Sequence, residues 1–353
     1  MARLRPMPRT WLVTGASGFL GQAAVRRLLS LGCRVRGLDV APAPEASAAQ
    51  ARYEHVQGDV RDPEACRRAC QGVKAVLHGA AALPILRDRK EIFSVNVDGT
   101  RNLLEASVAA GVGAFVFVSS TAVYGLHKVH PIHEDVRLVP VGPYGESKIE
   151  AERVCASFRD RLHVPIVRPK TFLGEGRLGV FEILFDWIHD GKRIPLLGQG
   201  HNRYQLLHVD DLLDILLLAA RHPGGNDTFN AGADRFGTLR QDLAPLFAAA
   251  GHPPRFLPTP RRTAQAALWA LDHLRLSPLT KWHYGTMASD SYVEVEKAAR
   301  VLGWRPRRSN EQTLLDAYTW YHANRAAVRR DQAGTTHTVP WDQKALRLLK
   351  KVA

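Results

Sequence analysis

The sequence predicts an α/β chain: a doubly wound parallel sheet followed by a smaller C-terminal lobe. Three observations predict it. Short apolar runs alternate with segments of helical period up to about residue 119. The first run ends in a glycine-rich turn that feeds directly into a helix. After about residue 170 the pattern changes: Gly174, Gly176, Gly179, Gly191, Gly198 and Gly200 interrupt the chain, and prolines cluster at 253–260. Strands alternating with helices imply right-handed crossovers, so the strands run parallel and both faces are covered.

The first strand is expected over 10–16, where Thr-Trp-Leu-Val-Thr-Gly-Ala reads as a short buried run closed by glycine. Ala23, Ala24, Leu28 and Leu29 recur at helical spacing and place a helix over 21–30. Gly32 is placed to end that helix, and Cys33 to Val40 forms the second strand. The rhythm continues with a strand at 54–57, a helix after Asp62-Pro63, a strand at 73–78, a helix over about 91–110 and a strand at 114–119. A further helix opens at Tyr144 and continues through Ala151 and Val154. Later helical pieces fall near 210–220, 262–275 and 311–328. In the second of these, Trp269, Leu271 and Leu274 read first as packing and second as a substrate or partner surface. The expected division is 1–170 for the first domain, with 205–232 returning to it, 171–330 for a substrate-binding lobe, and 331–353 for a basic tail.

With 353 residues, 45% apolar and 23% charged, the chain has ordinary globular proportions, which excludes disordered and collagen-like classes. Four cysteines are too few for a disulfide scaffold. Cys66 and Cys70 have no second pair to complete a zinc site. A reduced, cytoplasmic chain is expected. The formal net charge of +14 comes from scattered Lys and Arg, with basic spots at the start (Arg3, Arg5 and Arg9) and the end (Arg347, Lys350 and Lys351). No nucleic-acid partner is therefore expected, while the charge would favour an anionic small substrate. The most apolar stretch, Leu212 to Ala220, carries Asp214 and falls short of the roughly 18 residues of a membrane span. The basic N-terminus is followed by an alternating, Gly-rich segment, unlike a signal-peptide core. A soluble protein is expected.

The strongest early signal is Thr14-Gly15-Ala16-Ser17-Gly18-Phe19-Leu20-Gly21, between a strand and a helix. Gly15 permits a tight turn, Gly18 lets the backbone approach a pyrophosphate, and Gly21 allows close helix–strand packing. The helix then directs its free N–H groups and positive dipole end at the phosphates. Asp39 ends the second strand, 18 residues beyond Gly21, where a carboxylate can accept from an adenosine ribose. Arg34 and Arg36 lie inside that strand, and Val40 and Ala41 follow it, so a 2′-phosphate would meet Asp39 with no basic residue just beyond the strand.

On these residues the chain resembles the extended short-chain dehydrogenase/reductase superfamily, and within it the NAD-dependent epimerase/dehydratase family, from residue 10 to about 325. Gly58-Asp59-Val60-Arg61-Asp62 is similar to the family's adenine-contacting loop. His78-Gly79-Ala80-Ala81 resembles the segment beneath the cofactor, and Asn96-Val97-Asp98-Gly99-Thr100 the helix that steadies the active site. The resemblance implies a Rossmann-type sheet, bound NAD and a homodimer. Besides Gly15, Gly18, Gly21 and Asp39, it assigns the cofactor to Ser17, Phe19, Leu20, Asp59, Val60, Ala80, Ala81, Asn96, Ser119, Tyr144, Lys148 and Pro169.

Ser119-Ser120-Thr121-Ala122 closes a strand, and Tyr144-Gly145-Glu146-Ser147-Lys148 follows on a helix. Tyr144 and Lys148, four apart, project from one helix face. A tyrosine of pKa about 10 is a poor base near neutrality. A neighbouring cation favours its phenolate, and Lys148 together with a positive nicotinamide is expected to lower that pKa. Tyr144 is the expected acid–base residue and Ser120 the expected hydrogen-bond partner of the reacting oxygen. As in the family, Lys148 would also hold the nicotinamide ribose. No metal is expected: His127, His130 and His133 are interrupted by Pro131 and lack an acidic or Cys cluster. No Gly-x-Ser-x-Gly elbow supports hydrolysis.

Thr121 and Ala122 stand where the family's dehydratases carry Asp and Glu, so water loss is disfavoured. Pro131 to Lys148, Gly198-Gln199-Gly200 and His208-Val209-Asp210-Asp211 are similar to the nucleotide-sugar epimerases. Tyr204, however, occupies the position of those enzymes' phosphate-binding arginine, with Arg203 displaced by one. Lys170-Thr171-Phe172-Leu173 replaces their Asn-rich stretch. The segment from Pro258 to Pro306 looks as much like the hydroxysteroid-dehydrogenase-like branches. The first expectation is a sugar-nucleotide epimerase or oxidoreductase. The alternative is a dehydrogenase of a bulky apolar secondary alcohol, and the third is a non-catalytic NAD-binding protein. Ser120, Thr121, Lys170 and Arg203 are the expected substrate residues, with the 174–200 glycine segment at the pocket rim.

Overall fold

Trp11, Leu12 and Val13 are fully buried. They alternate between two cores, Trp11 and Val13 on one face and Leu12 on the other. Only a strand covered on both sides explains that alternation without a polar face. The computed structural model describes residues 4–83, 85–86, 88–274, 281–330 and 350. The chain runs through β1 (Thr10–Thr14), α1 (Phe19–Ser30), β2 (Arg34–Asp39), α2 (Glu45–Ala48), β3 (Tyr53–Gln57), α3 (Pro63–Cys70), β4 (Ala75–His78), α4 (Arg89–Phe93), α5 (Gly99–Ala109), β5 (Ala114–Val118), α6 (Gly142–Ala156) and β6 (Ile166–Pro169). It continues through β7 (Phe172–Leu173), α7 (Val180–His189), β8 (Ile194–Leu197), β9 (Leu207–His208), α8 (Val209–Arg221), β10 (Thr228–Ala231), α9 (Leu239–Ala249), β11 (Phe256–Thr259), α10 (Arg261–His273), α11 (Lys281–Thr286), α12 (Glu296–Leu302) and α13 (Asn310–Arg330).

Seven strands pair in parallel in the order β3-β2-β1-β4-β5-β6-β10. This is the doubly wound sheet expected from the sequence, and the order reverses between β1 and β4. Helices α1 and α8 pack together on one face, and α3, α5 and α6 cover the other. Local chemistry sets the helix starts. Asp62 caps α3 by accepting from the Glu64 N–H, with Pro63 in the first turn where no N–H is needed. Thr238 and Gln241 form a reciprocal capping box at α9.

The single helix expected over about 91–110 is interrupted by a π turn at Ser94–Asp98. The following Gly99 lies so close to the Val60 loop that a Cβ there would stand 2.5 Å from Val60 Cγ2. The glycine-broken stretch after 170 also hides a helix, α7. Its Phe185, Trp187 and Ile188 join Phe247 of α9 and Tyr318 and Tyr321 of α13 in a third apolar core. Trp269 and Leu274, read first as packing, are instead 52% and 66% exposed, and α10 buries none of its residues. The expected basic tail, 331–353, lies outside the described residues except for Lys350, whose ammonium binds Asp190 Oδ2 at 2.7 Å. Among the described residues no helix is long and apolar enough to cross a membrane.

Candidate active site

The carboxyl ends of β1 and β4 meet where the strand order reverses, and the crevice there opens into a cavity of about 570 Å³. Gly15, Gly18, Phe19, Leu20 and Gly21 line it. Gly15 is left-handed, with φ +70°, and a Cβ on it would stand 3.0 Å from the Ala80 backbone. Gly21 packs tighter still: its Cβ would fall 1.9 Å from the Gly15 carbonyl oxygen. Gly18 caps α1 with no side chain, leaving the first-turn N–H groups without a side-chain acceptor. This cradle fits a dinucleotide's pyrophosphate.

Asp39 lines the same crevice and accepts from the Ser17 N–H at 3.0 Å and the Ala41 N–H at 2.9 Å. Arg36, the nearby cation that could have met a 2′-phosphate, is drawn off to Glu54 at 2.9 Å and to carbonyls at the end of α3, Ala69 at 3.0 Å and Gln71 at 2.7 Å. Asp39→Ala should weaken NAD by about tenfold, roughly 1.4 kcal/mol, and relax discrimination against NADP. Parallel titrations of both cofactors measure it; unchanged discrimination would show that Asp39 does not read the ribose. Asp59 and Val60 form the adjoining wall. Arg61 grips the Asp59 carboxylate at 2.6 Å and holds it below its ordinary pKa.

Two residues assigned to the cofactor by resemblance stand behind that wall. The Ser17 hydroxyl donates to the Pro42 carbonyl at 2.8 Å, so only its backbone serves the turn. Asn96, buried in the π turn, donates to Ala82 O at 3.1 Å and Ser147 Oγ at 2.9 Å, and accepts from Ala82 N at 2.7 Å. Ser147 in turn donates to the Tyr144 carbonyl at 2.8 Å. Asn96 therefore clamps the cofactor wall to α6. Beneath it, Thr100 Oγ1 gives its proton to Asn96 O at 2.6 Å and so accepts from His78 Nε2 at 2.9 Å. His78 Nδ1 is left to accept from Thr14 Oγ1 at 2.7 Å. Burial, with the nearby Lys148 charge, pushes the His78 pKa down to about 3, so this chain stays neutral.

Ser120, Tyr144 and Lys148 converge on the cavity, with Ser119, Thr121 and Pro169 beside them. Ser120 sits just past β5, and its Oγ accepts from the Ala122 N–H at 3.1 Å. The Tyr144 phenol lies near the Ser120 hydroxyl, which works to lower its pKa. Lys148 is 3% exposed, its ammonium donating to Val118 O at 2.9 Å and lying 6.0 Å from the Tyr144 ring centroid. Burial pushes Lys148 down to about 8. The sequence led us to expect a lowered Tyr144; burial instead pushes it up to about 12, opposed by Ser120 and by a cation the sequence did not single out, Arg177. The Ser119 hydroxyl points away, donating to Glu152 Oε1 at 2.5 Å. Glu152 is itself held by Arg168 at 2.6 Å in a buried ion pair that fixes the strand ends under the site.

The comparisons with known proteins agree with this geometry. Residues 11–232 match the model of the NAD dependent epimerase/dehydratase family, well over half of the chain. The chain belongs to that family. An uncharacterized protein of Sinorhizobium fredii, y4nG, is 38% identical over 343 residues, covering 97% of this chain and 85% of that one. A 3 beta-hydroxysteroid dehydrogenase/Delta 5→4-isomerase of Mycobacterium tuberculosis is 29% identical, covering 88% of this chain and 90% of that one. Among solved structures, UDP-glucose 4-epimerase of Thermotoga maritima with UDP-glucose superposes with a TM-score of 0.74 at 25% identity, covering 89% of this chain and 99% of that one. The chain is thus an NAD-dependent enzyme of the epimerase/dehydratase family, with the Rossmann-type sheet of its relatives. NAD, when bound, supplies the hydride acceptor.

In this family member the far half of the cavity is walled by Phe172, Val180, Phe181, Leu184, Leu196, Leu206, Leu243, Met287 and Leu314. Of the expected substrate residues, Ser120, Thr121 and Lys170 face the cavity. Arg203 does not line it: its guanidinium lies over the neighbouring rings of Phe236 and Tyr292, 4.6 and 4.8 Å from their centroids. The neighbouring Tyr204 takes the inward place, bonded to Thr171 Oγ1 at 3.0 Å. Arg177, in the glycine segment expected at the rim, is the cation that enters. It is 8% exposed and lies over Phe19 and Phe172, 5.3 and 5.5 Å from the two rings. Its only sequence signal was membership of that segment. Among the histidines, His127 contacts its own loop at Val129 and His130 packs on Tyr292.

Proposed function

We propose that this family member is an NAD-dependent oxidoreductase interconverting a secondary alcohol and a ketone carried on a bulky apolar body. The observation that carries the reading is the apolar wall beyond Tyr144, built from β8, α7, α9 and α13. A sugar's hydroxyls would be stripped of water there with few partners in return, at about 1–3 kcal/mol for each one left unpaired. An alkyl or fused-ring body would instead gain about 25 cal/mol for every Å² of apolar surface buried. Arg203, the arginine expected to grip a diphosphate, does not line the cavity. The likeness to a mycobacterial 3 beta-hydroxysteroid dehydrogenase supports the same reading.

In that reaction Ser120 holds the reacting oxygen and Tyr144 exchanges its proton with it. Lys148, bonded to Val118, would hold the nicotinamide ribose when NAD is bound. Thr121 and Ala122 provide no carboxylic acid pair, so the chemistry ends at oxidoreduction. The test is a substrate panel with NAD, followed at the NADH absorbance near about 340 nm. Sterols, long-chain secondary alcohols and hydroxy fatty acids are set beside UDP-, GDP- and dTDP-sugars. Stoichiometric NADH from an apolar alcohol is the expected result. Interconversion of a nucleotide sugar with no net absorbance change would overturn the reading in favour of an epimerase.

A further inference from the structure

Two cations line the substrate half of the cavity with no counter-charge among the described residues. Lys170 leaves the end of β6, 4% exposed, and its ammonium has one hydrogen bond, to Ser291 Oγ at 2.7 Å. The Tyr204 ring lies 5.0 Å from it. Arg177 makes no side-chain hydrogen bond within the described residues, and its Nε is buried without a partner. No described carboxylate pairs with either. Of the acids that line the cavity, Asp39 is held by two backbone N–H groups, Asp59 by Arg61, and Asp242 by Asn310 at 2.7 Å and the Gly237 N–H at 2.9 Å, while Glu91 lies within the field of Arg61. Burial alone pushes Lys170 down to about 7, and it pushes Arg177 down to about 9 against the pull of Tyr144.

An unpaired buried charge costs several kcal/mol in effective terms, and apolar residues of similar size would avoid that cost. Two such charges lining the cavity that holds Tyr144 make sense where a ligand brings the missing anion. We infer that the substrate is an amphipathic carboxylate: its hydroxyl or keto carbon lies at Tyr144, its carboxylate is received by Lys170 and Arg177, and its apolar body lies against α7 and α13. The guanidinium supplies a planar pair of donors matched to a carboxylate, and the ammonium a third. This inference rests on the apolar-substrate reading above and narrows it to acids.

Binding tests it without knowing where the natural hydroxyl stands. Full-length protein saturated with NAD is titrated by calorimetry with decanoate and with 1-decanol, which share the apolar chain. Decanoate should bind at least about tenfold more tightly, about 1.4 kcal/mol. Lys170→Met and Arg177→Gln should each erase most of that advantage while leaving decanol binding and NAD affinity unchanged. Both variants remove an unpaired buried charge, so melting temperatures at or above wild type are expected and folding is checked directly. Equal affinity for acid and alcohol overturns the inference and leaves the apolar reading standing. A loss of NAD affinity in Arg177→Gln also overturns it, giving that arginine to the cofactor's phosphates. If neither ligand binds, the apolar reading fails, and the inference with it.

Discussion

Tyr144→Phe should lower turnover by about 100-fold or more while leaving NAD affinity close to wild type. The substitution keeps the ring and its packing and removes only the phenol oxygen that faces Ser120. The structure adds a pH signature. Burial holds the phenol up to about 12, so it is protonated across the neutral range. It is ready to donate in ketone reduction, whereas alcohol oxidation needs its phenolate. Oxidation should therefore accelerate as pH rises through the alkaline range, and the acceleration should vanish in Tyr144→Phe. Lys148, pushed down to about 8, loses its charge in the same range, so the rise should be shallower than that of a single deprotonation. Stopped-flow measurement of NADH formation against pH gives both numbers. Near-normal turnover in the variant would remove Tyr144 from the chemistry.

Gly21→Ala should be the most damaging single methyl in the cofactor half. The added carbon would lie 1.9 Å from Gly15 O and 2.7 Å from Ala16 Cα, both backbone atoms, so the turn itself must move. Overpacking of this kind costs about 1–3 kcal/mol. Because the turn is also the phosphate cradle, the cost should be read largely as NAD affinity, up to about 100-fold weaker. Gly113→Ala is the matched control, since its nearest contact would be an ordinary 3.5 Å to Lys74 O. That change should stay within about 0.5 kcal/mol. Equal effects of the two substitutions on NAD binding would show that the close approach at Gly21 is irrelevant to the cofactor.

The cofactor turn, the spacing of the catalytic candidates and the alternation of strands with helices were legible in the sequence. A glycine triplet between an apolar run and a helix determines a turn, because only glycine tolerates φ +70° at position 15 and a carbonyl so close to position 21. The four-residue spacing of Tyr144 and Lys148 determines that they share a helix face. The alternation of strand and helix determines a parallel sheet, and with it the crevice. These are properties of a few consecutive residues and of backbone geometry, and no long-range contact is needed to read them.

What the tertiary structure decided lies between segments. Arg177 has no periodicity that marks it, and it reaches Tyr144 only because the loop before α7 folds over Phe19 and Phe172. Arg203 and Tyr204 are adjacent in sequence and differ by one residue of register. The chain turns so that the tyrosine faces inward and the arginine lies over Phe236 and Tyr292. The character of the substrate wall is likewise a sum over α7, β8, α9 and α13, elements scattered across more than a hundred residues. Their apolar side chains read singly as core, and only their convergence on one cavity makes them a surface that a ligand meets. Tyr144 shows the same division within one residue. Its neighbour at position 148 was set by helix geometry, but its pKa was set by burial and by Arg177, because desolvation and charge act through space and not along the chain.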